Sequence, residues 1–258
     1  MTEQMFDSRR VFLKRLAAGL AASGGLMVLR QPALAALASE ESEALQDRGE
    51  DHEYAFVIDV NKCIGCGYCV RACSAENDVP EGQFRTWIER YVITRRGVHV
   101  DSPKGGLNGF SELPEDLKAE ARHTFFVPKL CNQCANPPCV QVCPVGATFR
   151  GPGGFVLVDP KHCIGCSYCV KACPYGARFM SKKGHIADKC TWCYHRVARN
   201  LPPACVEVCP TQARLFGDLK DPQSAVAKIH DENRGQVLKP EMHTDCQAFY
   251  LNLPRQVL

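Results

Sequence analysis

The chain has 258 residues, with a formal charge of +3, 45% hydrophobic and 23% charged residues, and 17 cysteines. That length suits one or two compact domains. Residues 1–35 hold five Lys/Arg against two Asp/Glu, so the rest balances and the basic total indicates no nucleic-acid partner.

Ser8-Arg9-Arg10-Val11-Phe12-Leu13-Lys14 opens the chain with the pattern S-R-R-x-F-L-K, which resembles a twin-arginine export motif. A Gly/Ala-rich apolar stretch, Leu16 to Leu29, follows and is too short to span a bilayer comfortably. Ala33-Leu34-Ala35 fits an A-x-A cleavage site, so residues 1–35 read as a removable signal peptide. The signal implies the twin-arginine translocase as a transient partner and the periplasm as the destination. Residues 36–53 are acidic and polar and read as a flexible lead-in. No later apolar run reaches 18 residues, so membrane contact would come through another subunit.

From Val57 the chain carries Cys63, Cys66, Cys69 and Cys73. Thr86 to Ile93 reads as a strand, and residues 97–120 as a long surface loop with one helical turn. Phe125-Phe126-Val127 is a further strand, leading into Cys131, Cys134, Cys139 and Cys143. Phe155 to Val158 begins a repeat at an offset of 100 residues: Leu157 to Cys173 lines up with Val57 to Cys73, including Cys163, Cys166, Cys169 and Cys173. Each copy reads as a short strand, a turn carrying Asp, a cysteine loop and a short helix. Cys190, Cys193, Cys205 and Cys209 form the fourth quartet. Ser224 to His230 reads as a short helix and Gln236 to Leu253 as an extended tail with little regular pattern. Cys246 stands alone and reads as an ordinary, partly buried thiol.

Quartets one and three have the spacing C-x2-C-x2-C-x3-C, which supplies three thiolates to one iron–sulfur cube and sends the fourth to a second. Each iron of a [4Fe–4S] cluster takes a soft anionic ligand, a role thiolate fills. Gly65 and Gly165 suit the tight turn between the first two cysteines, because glycine reaches positive φ without steric cost. Pro144, Pro174 and Pro210 follow the last cysteine of quartets two, three and four and stop the turn there. A disulfide framework does not repeat C-x2-C-x2-C. Structural zinc uses pairs split by a longer loop, a layout that only the fourth quartet loosely resembles. Sixteen thiolates outweigh four oxidised cores of charge +2 by eight, so the loaded protein is acidic around its clusters. His162 and His195 could hydrogen-bond near a cluster or be plain surface histidines. Lys62, Arg71, Lys171 and Arg178 lie close enough in sequence to offset cluster charge. No Ser/His/Asp or Cys/His nucleophile arrangement and no Gly-rich phosphate loop is recognisable, which sets an electron relay above an enzyme or a metal-stapled binding module.

Over roughly residues 54–220 the chain resembles the four-cluster, ferredoxin-like electron-transfer subunits of modular membrane oxidoreductases. The phrases carrying the resemblance are Cys131-Asn132-Gln133-Cys134-Ala135-Asn136-Pro137-Pro138-Cys139-Val140-Gln141-Val142-Cys143-Pro144 and Cys173-Pro174-Tyr175-Gly176-Ala177-Arg178, with Ser74 in place of proline after the first quartet. The resemblance implies an α+β fold of two intertwined ferredoxin-like modules, one from residues 54–96 and 174–220, the other from 121–173, with 221–258 as a C-terminal extension. It also implies four [4Fe–4S] clusters and a ligand scheme that spacing alone does not fix. One cluster takes Cys63, Cys66, Cys69 and Cys209, and its neighbour takes Cys190, Cys193, Cys205 and Cys73. The third takes Cys131, Cys134, Cys139 and Cys173, and the fourth takes Cys163, Cys166, Cys169 and Cys143. The phrase Cys190 to Arg196 and the tail Val237-Leu238-Lys239-Pro240 look most like the periplasmic subunit of the sulfite-reduction-associated (Dsr-type) transmembrane complex, or its heterodisulfide-reductase-linked relative; nitrite, tetrathionate and polysulfide reductase subunits are similar. Implied partners are a polytopic quinone-handling membrane subunit and a cytochrome c or catalytic oxidoreductase subunit.

Overall fold

A computed structural model describes residues 52–257. The signal peptide and nearly all of the lead-in fall outside the described residues. The last two lead-in residues are tied down: His52 pairs with Asp218 at 2.5 Å and the Glu53 N–H donates to the same carboxylate at 2.9 Å.

Ala55-Phe56-Val57-Ile58 is an unbroken apolar run, and all four side chains are fully buried in β1 (Tyr54–Asp59). Such a run suits a central strand buried on both faces. β1 pairs antiparallel with β9 (Arg214–Asp218) and parallel with β10 (Ala248–Leu251). Because successive side chains alternate faces, Phe56 and Ile58 enter a core with Trp192 and Phe155, while Ala55 and Val57 pack with Val226 and Leu251. Val226 belongs to α7 (Ala225–Asp231), whose cap is the Ser224 side chain accepting from the Val226 N–H.

A second sheet runs in the order β3-β2-β4, antiparallel throughout, with β2 at Thr86–Ile93, β3 at Val98–Asp101 and β4 at His123–Leu130. β2 has the bounds expected from its sequence. β3 and the turn after it are a departure from the expected surface loop. All four β3 residues are exposed, so no hydrophobic alternation marks the strand. The next turn is not on the surface: Gly105 and Gly106 are buried against Phe84 and Ile88. The expected helical turn is α2 (Glu115–Glu120).

The cysteine helices are α1 (Tyr68–Glu76), α3 (Pro138–Gln141), α4 (Tyr168–Lys171) and α6 (Ala204–Glu207). The last three are four residues long, and each is followed within two residues by a Cys-Pro pair. α1, with Ser74 after its last cysteine, continues to nine residues. Two hairpins complete the framework: β5 (Thr148–Arg150) with β6 (Val156–Val158), and β7 (Arg178–Met180) with β8 (Ala187–Lys189). α5 (Tyr194–Val197) follows the Cys190–Cys193 turn. α1 packs on α6, joining the first and fourth quartets, and α3 packs on α4, joining the second and third. These are short helices and small mixed sheets of an α+β fold.

The tail departs from the expected irregular arm. Ala248 and Tyr250 are fully buried, and Tyr250 Oη donates to the Pro128 carbonyl at 3.1 Å. β10 completes this chain's own core, and its partner β1 lies some 190 residues away in sequence, where no local pattern could announce it. Among the described residues no helix is long and apolar enough to cross a membrane.

Candidate functional site

The fold gathers the sixteen quartet cysteines into four sets that each draw on two quartets. Cys63, Cys66, Cys69 and Cys209 line one small cavity, together with Arg214. Cys143, Cys163, Cys166 and Cys169 line another. Cys73 lies among Cys190, Cys205 and Cys193: burial, then their negative charge, holds its thiol well above the ordinary value. The Asn77 amide ties this set together, with Nδ2 3.6 Å from Cys73 Sγ and 3.7 Å from Cys193 Sγ. Cys131, Cys134, Cys139 and Cys173 form the last set. Burial raises both Cys139 and Cys173, and the nearby charge of Cys131 raises each further.

Neighbouring sets touch. Cys205 feels the charge of Cys69, and Cys190 that of Cys131. Trp192, 2% exposed, donates its indole N–H to the Cys131 carbonyl at 3.0 Å, and Gln133 Nε2 donates to the Cys190 carbonyl at 3.1 Å. Arg178 lies near Cys131, Cys139 and Cys169 and so links the last two sets, which makes the four a row with the two cavity-lined ones at the ends. Each end opens beside an exposed Ile–Tyr pair, Ile64 with Tyr68 and Ile164 with Tyr168.

Local geometry follows from the repeated phrases. Gly65 and Gly165 have φ of 69° and 71°. A Cβ on Gly165 would lie 2.7 Å from the His185 carbonyl oxygen. After each Cys-Pro pair the chain turns through a buried alanine, Ala147, Ala177 or Ala213, into a strand. That turn aims backbone N–H groups at the cysteine sulfur: Thr148 N is 3.4 Å from Cys143 Sγ and Ala213 N is 3.3 Å from Cys209 Sγ. Slight burial opposes ionisation of Cys143, but N–H groups of Thr148, Val145 and Ala147 carry it below the ordinary thiol value.

The cages fit iron–sulfur cubes on the evidence of two buried guanidiniums. Arg214, 1% exposed, donates Nη2 to Thr86 Oγ1 at 2.8 Å, while Nη1 has no partner among the described residues. Arg178, 4% exposed, donates Nη1 to Thr148 Oγ1 at 3.2 Å and leaves Nη2 without one. Buried N–H groups are rarely left without an acceptor. Arg214 stands between the sets of Cys63/Cys69 and of Cys205, and Arg178 between those of Cys131/Cys139 and of Cys169. Burial disfavours their charge, and the thiolates more than restore it. Burial in turn pushes Cys63 up to about 11, Cys190 to about 12 and Cys205 to about 11. A bound cationic core would balance thiolates at these buried positions. Among the described residues no three Cys, His, Asp or Glu side chains converge tightly enough for a single metal ion, which a zinc site would need.

Of the four cations marked in the sequence, only Arg178 reaches the thiols. Lys62 is exposed and faces Asp59, and Lys171 is exposed. Arg71 stacks 4.6 Å over Tyr68 and donates to the Leu107 and Cys66 carbonyls, bracing the loop rather than the sulfur. His162 pairs with Asp159 at 2.6 Å and His195 with Glu76 at 2.7 Å, both at the surface. Arg214 was missed by the sequence reading, although Cys209-Pro-Thr-Gln-Ala-Arg214 echoes Cys173-Pro-Tyr-Gly-Ala-Arg178. Lys189, 1% exposed and donating Nζ to the Cys190 carbonyl at 2.9 Å, has no such echo.

Two families, each described as a 4Fe-4S dicluster domain, match residues 62–147 and 122–219. Similar proteins include a tetrathionate reductase subunit of Salmonella typhimurium, 41% identical over 96% of this chain and 90% of the relative. The putative dimethyl sulfoxide reductase iron-sulfur subunit of Halobacterium salinarum is 40% identical over 77% of this chain and 79% of the relative. The Hdr-like menaquinol oxidoreductase iron-sulfur subunit 1 of Archaeoglobus fulgidus is 32% identical over 95% of this chain and 98% of the relative.

Proposed function

Because this chain belongs to the family of iron–sulfur electron-transfer subunits built on two 4Fe-4S dicluster domains, and so carries four [4Fe–4S] clusters without being the catalytic subunit of its complex, we propose that it relays electrons along the row of four cysteine cages in a periplasmic sulfur-compound reductase. The cages hold, in order, Cys63/Cys66/Cys69/Cys209, Cys73/Cys190/Cys193/Cys205, Cys131/Cys134/Cys139/Cys173 and Cys143/Cys163/Cys166/Cys169. Bound there, the clusters supply four one-electron sites in series. The chain fixes their spacing, excludes water from the inner pair and places Arg214 and Arg178 between members of each pair. A buried positive charge favours the more negative, reduced state of its neighbours.

The observation that carries the reading is the crossing of quartets, with Cys209 beside the first three cysteines and Cys143 beside Cys163, Cys166 and Cys169. Cys209→Ser and Cys66→Ser should therefore alter the same electron paramagnetic resonance (EPR) signal, and Cys73→Ser a different one. If Cys209→Ser instead reproduces Cys205→Ser, each quartet binds its own cluster and the scheme fails.

Likeness to the tetrathionate reductase subunit over 96% of the chain favours an oxidised sulfur compound as the terminal acceptor of the complex. Likeness to the Hdr-like subunit over 95% of the chain supports the Dsr-type reading, with a quinone-handling membrane subunit at one end of the row and a cytochrome c or catalytic subunit at the other. The two exposed Ile–Tyr pairs, one at each end, suit two such partners. Export follows the Arg9-Arg10 signal, because a folded, cluster-loaded chain cannot be threaded through an unfolded-chain channel. The protein then sits on the periplasmic face of the inner membrane, held there by its partners.

A further inference from the structure

The first quartet has no proline after its last cysteine, and this difference brings a side chain onto the second cage. At Cys143 and Cys209 the chain turns after Cys-Pro, and backbone N–H groups of the turn point at the sulfur. Ser74 follows Cys73 instead, and α1 runs on to Glu76 with Asn77 as its cap. Backbone N–H groups inside a helix are committed to carbonyls of the preceding turn. Asn77 comes four residues after Cys73, one turn further along the same face. Its side chain supplies Cys73 with the donor that the backbone supplies to Cys143 and Cys209.

Asn77 Nδ2 is 3.1 Å from the Cys73 carbonyl, 3.6 Å from Cys73 Sγ and 3.7 Å from Cys193 Sγ. Contacts to sulfur are longer than those to oxygen because the atom is larger. An asparagine amide can be turned end for end, so its partners must fix its direction. Arg85 Nη1 is 2.9 Å from Asn77 Oδ1. A guanidinium only donates, so the oxygen faces Arg85 and the NH2 group faces the sulfurs. Arg85 is itself gripped at two points, with Nε 3.1 Å from Asp188 Oδ2 and Nη2 2.8 Å from Asp188 Oδ1. Both partners are largely buried, and the Asp188 charge offsets that of Arg85. The preceding residue locks the same approach: Glu76 pairs with His195 at 2.7 Å and with Arg196 at 3.0 Å, both on α5 just after Cys193.

The amide has two hydrogens. One serves the Cys73 carbonyl, and the other is left between the two sulfurs. A metal-bound thiolate has lost its proton and can only accept.

We propose that Asn77 is a positioning residue for electron transfer, whose amide N–H bridges the Cys73 and Cys193 sulfurs and raises the potential of the cluster held by Cys73, Cys190, Cys193 and Cys205. The inference rests on the ligand assignment proposed above. A donor drains negative charge from the sulfur it meets, and the reduced cluster, with one more electron, gains more from it.

The test uses the full-length, cluster-loaded protein, with iron content, an EPR-monitored redox titration and electron–nuclear double resonance as readouts. Asn77→Leu keeps most of the volume and removes both N–H groups. Asn77→Asp keeps the shape and the contact with Arg85, and carries the test if the leucine variant loses iron. In each, one midpoint is expected to fall, so that at its wild-type value the reduced-to-oxidised ratio drops several-fold, while the other three stay in place. The aspartate shift should be the larger, because a negative charge replaces the donor. The signal that moves should be the one Cys73→Ser alters, and it should lack one exchangeable-proton coupling present in the wild type. Four unmoved midpoints with full iron would overturn the proposal and leave the ligand assignment standing. A moved midpoint with every proton coupling intact would overturn it too, because packing or charge rather than the donor would be at work. So would a shift confined to the signal that Cys66→Ser alters, which belongs to the first cage. If Cys73→Ser and Cys193→Ser altered different signals, the shared cage itself would be lost, and the ligand assignment would fall together with the proposal.

Discussion

Replacing Arg214 with Met removes one positive charge from the space between the first two cages while keeping most of the side-chain volume. Arg214 lines the cavity of Cys63, Cys66, Cys69 and Cys209, and its charge is felt by Cys205 of the next cage. At a separation of about 6 Å and an effective dielectric of about 20, a unit charge contributes about 3 kcal/mol. That is about two decades in the reduced-to-oxidised ratio, or roughly 120 mV for one electron. Arg214→Met should therefore lower two of the four midpoints by an amount on the order of 100 mV and leave the other two near their wild-type values. Arg214→Lys, which keeps the charge, should lower them far less, and Arg178→Met should act on the complementary pair. An EPR-monitored redox titration of each variant at matched iron content reads all four. If the Arg214→Met midpoints coincide with wild type, the guanidinium does not act on the clusters and the electrostatic reading of its burial is wrong.

Three further outcomes are expected. Stripping the iron leaves the buried cations Arg214, Arg178 and Lys189 without their counter-charge, a state costing several kcal/mol per ion. The apo-protein should therefore show no cooperative thermal transition by circular dichroism, and a sharp one would refute ligation as the main source of stability. Gly165→Ala forces a Cβ to 2.7 Å from the His185 carbonyl at a φ of 71°, and should cost at least about 1–2 kcal/mol and lower the melting temperature by several degrees; an unchanged melting curve would show that the loop relaxes freely. Replacing Arg9 and Arg10 with Lys should trap the protein in the cytoplasm on cell fractionation, and normal export would show that the signal is misread.

The parts of the fold that repeat short-range chemistry were legible in the sequence. Cysteine spacing, the glycines at 65 and 165 and the prolines after Cys143, Cys173 and Cys209 each act within one turn of chain, so the loops and the lengths of their helices follow from them. β2 was legible because Thr86 to Ile93 is rich in aromatic and β-branched residues. β3 was not, since it is an exposed edge, and β10 was not, since its meaning comes from a strand at the other end of the chain. Spacing also left open which quartets share a cage, because that is decided by α1 packing on α6 and α3 on α4. Arg214 takes its role only from neighbours brought in by folding, although the shared Ala-Arg after two of the Cys-Pro turns was a signal for it.

The most direct measurement is quantitative: iron and acid-labile sulfide per chain in anaerobically purified protein, with EPR after dithionite reduction. Four cubes in four cysteine cages require about 16 irons and 16 sulfides per chain, with interacting paramagnetic signals on reduction. Material free of labile sulfide, or silent after dithionite, would contradict the assignment of these cysteines to iron–sulfur clusters.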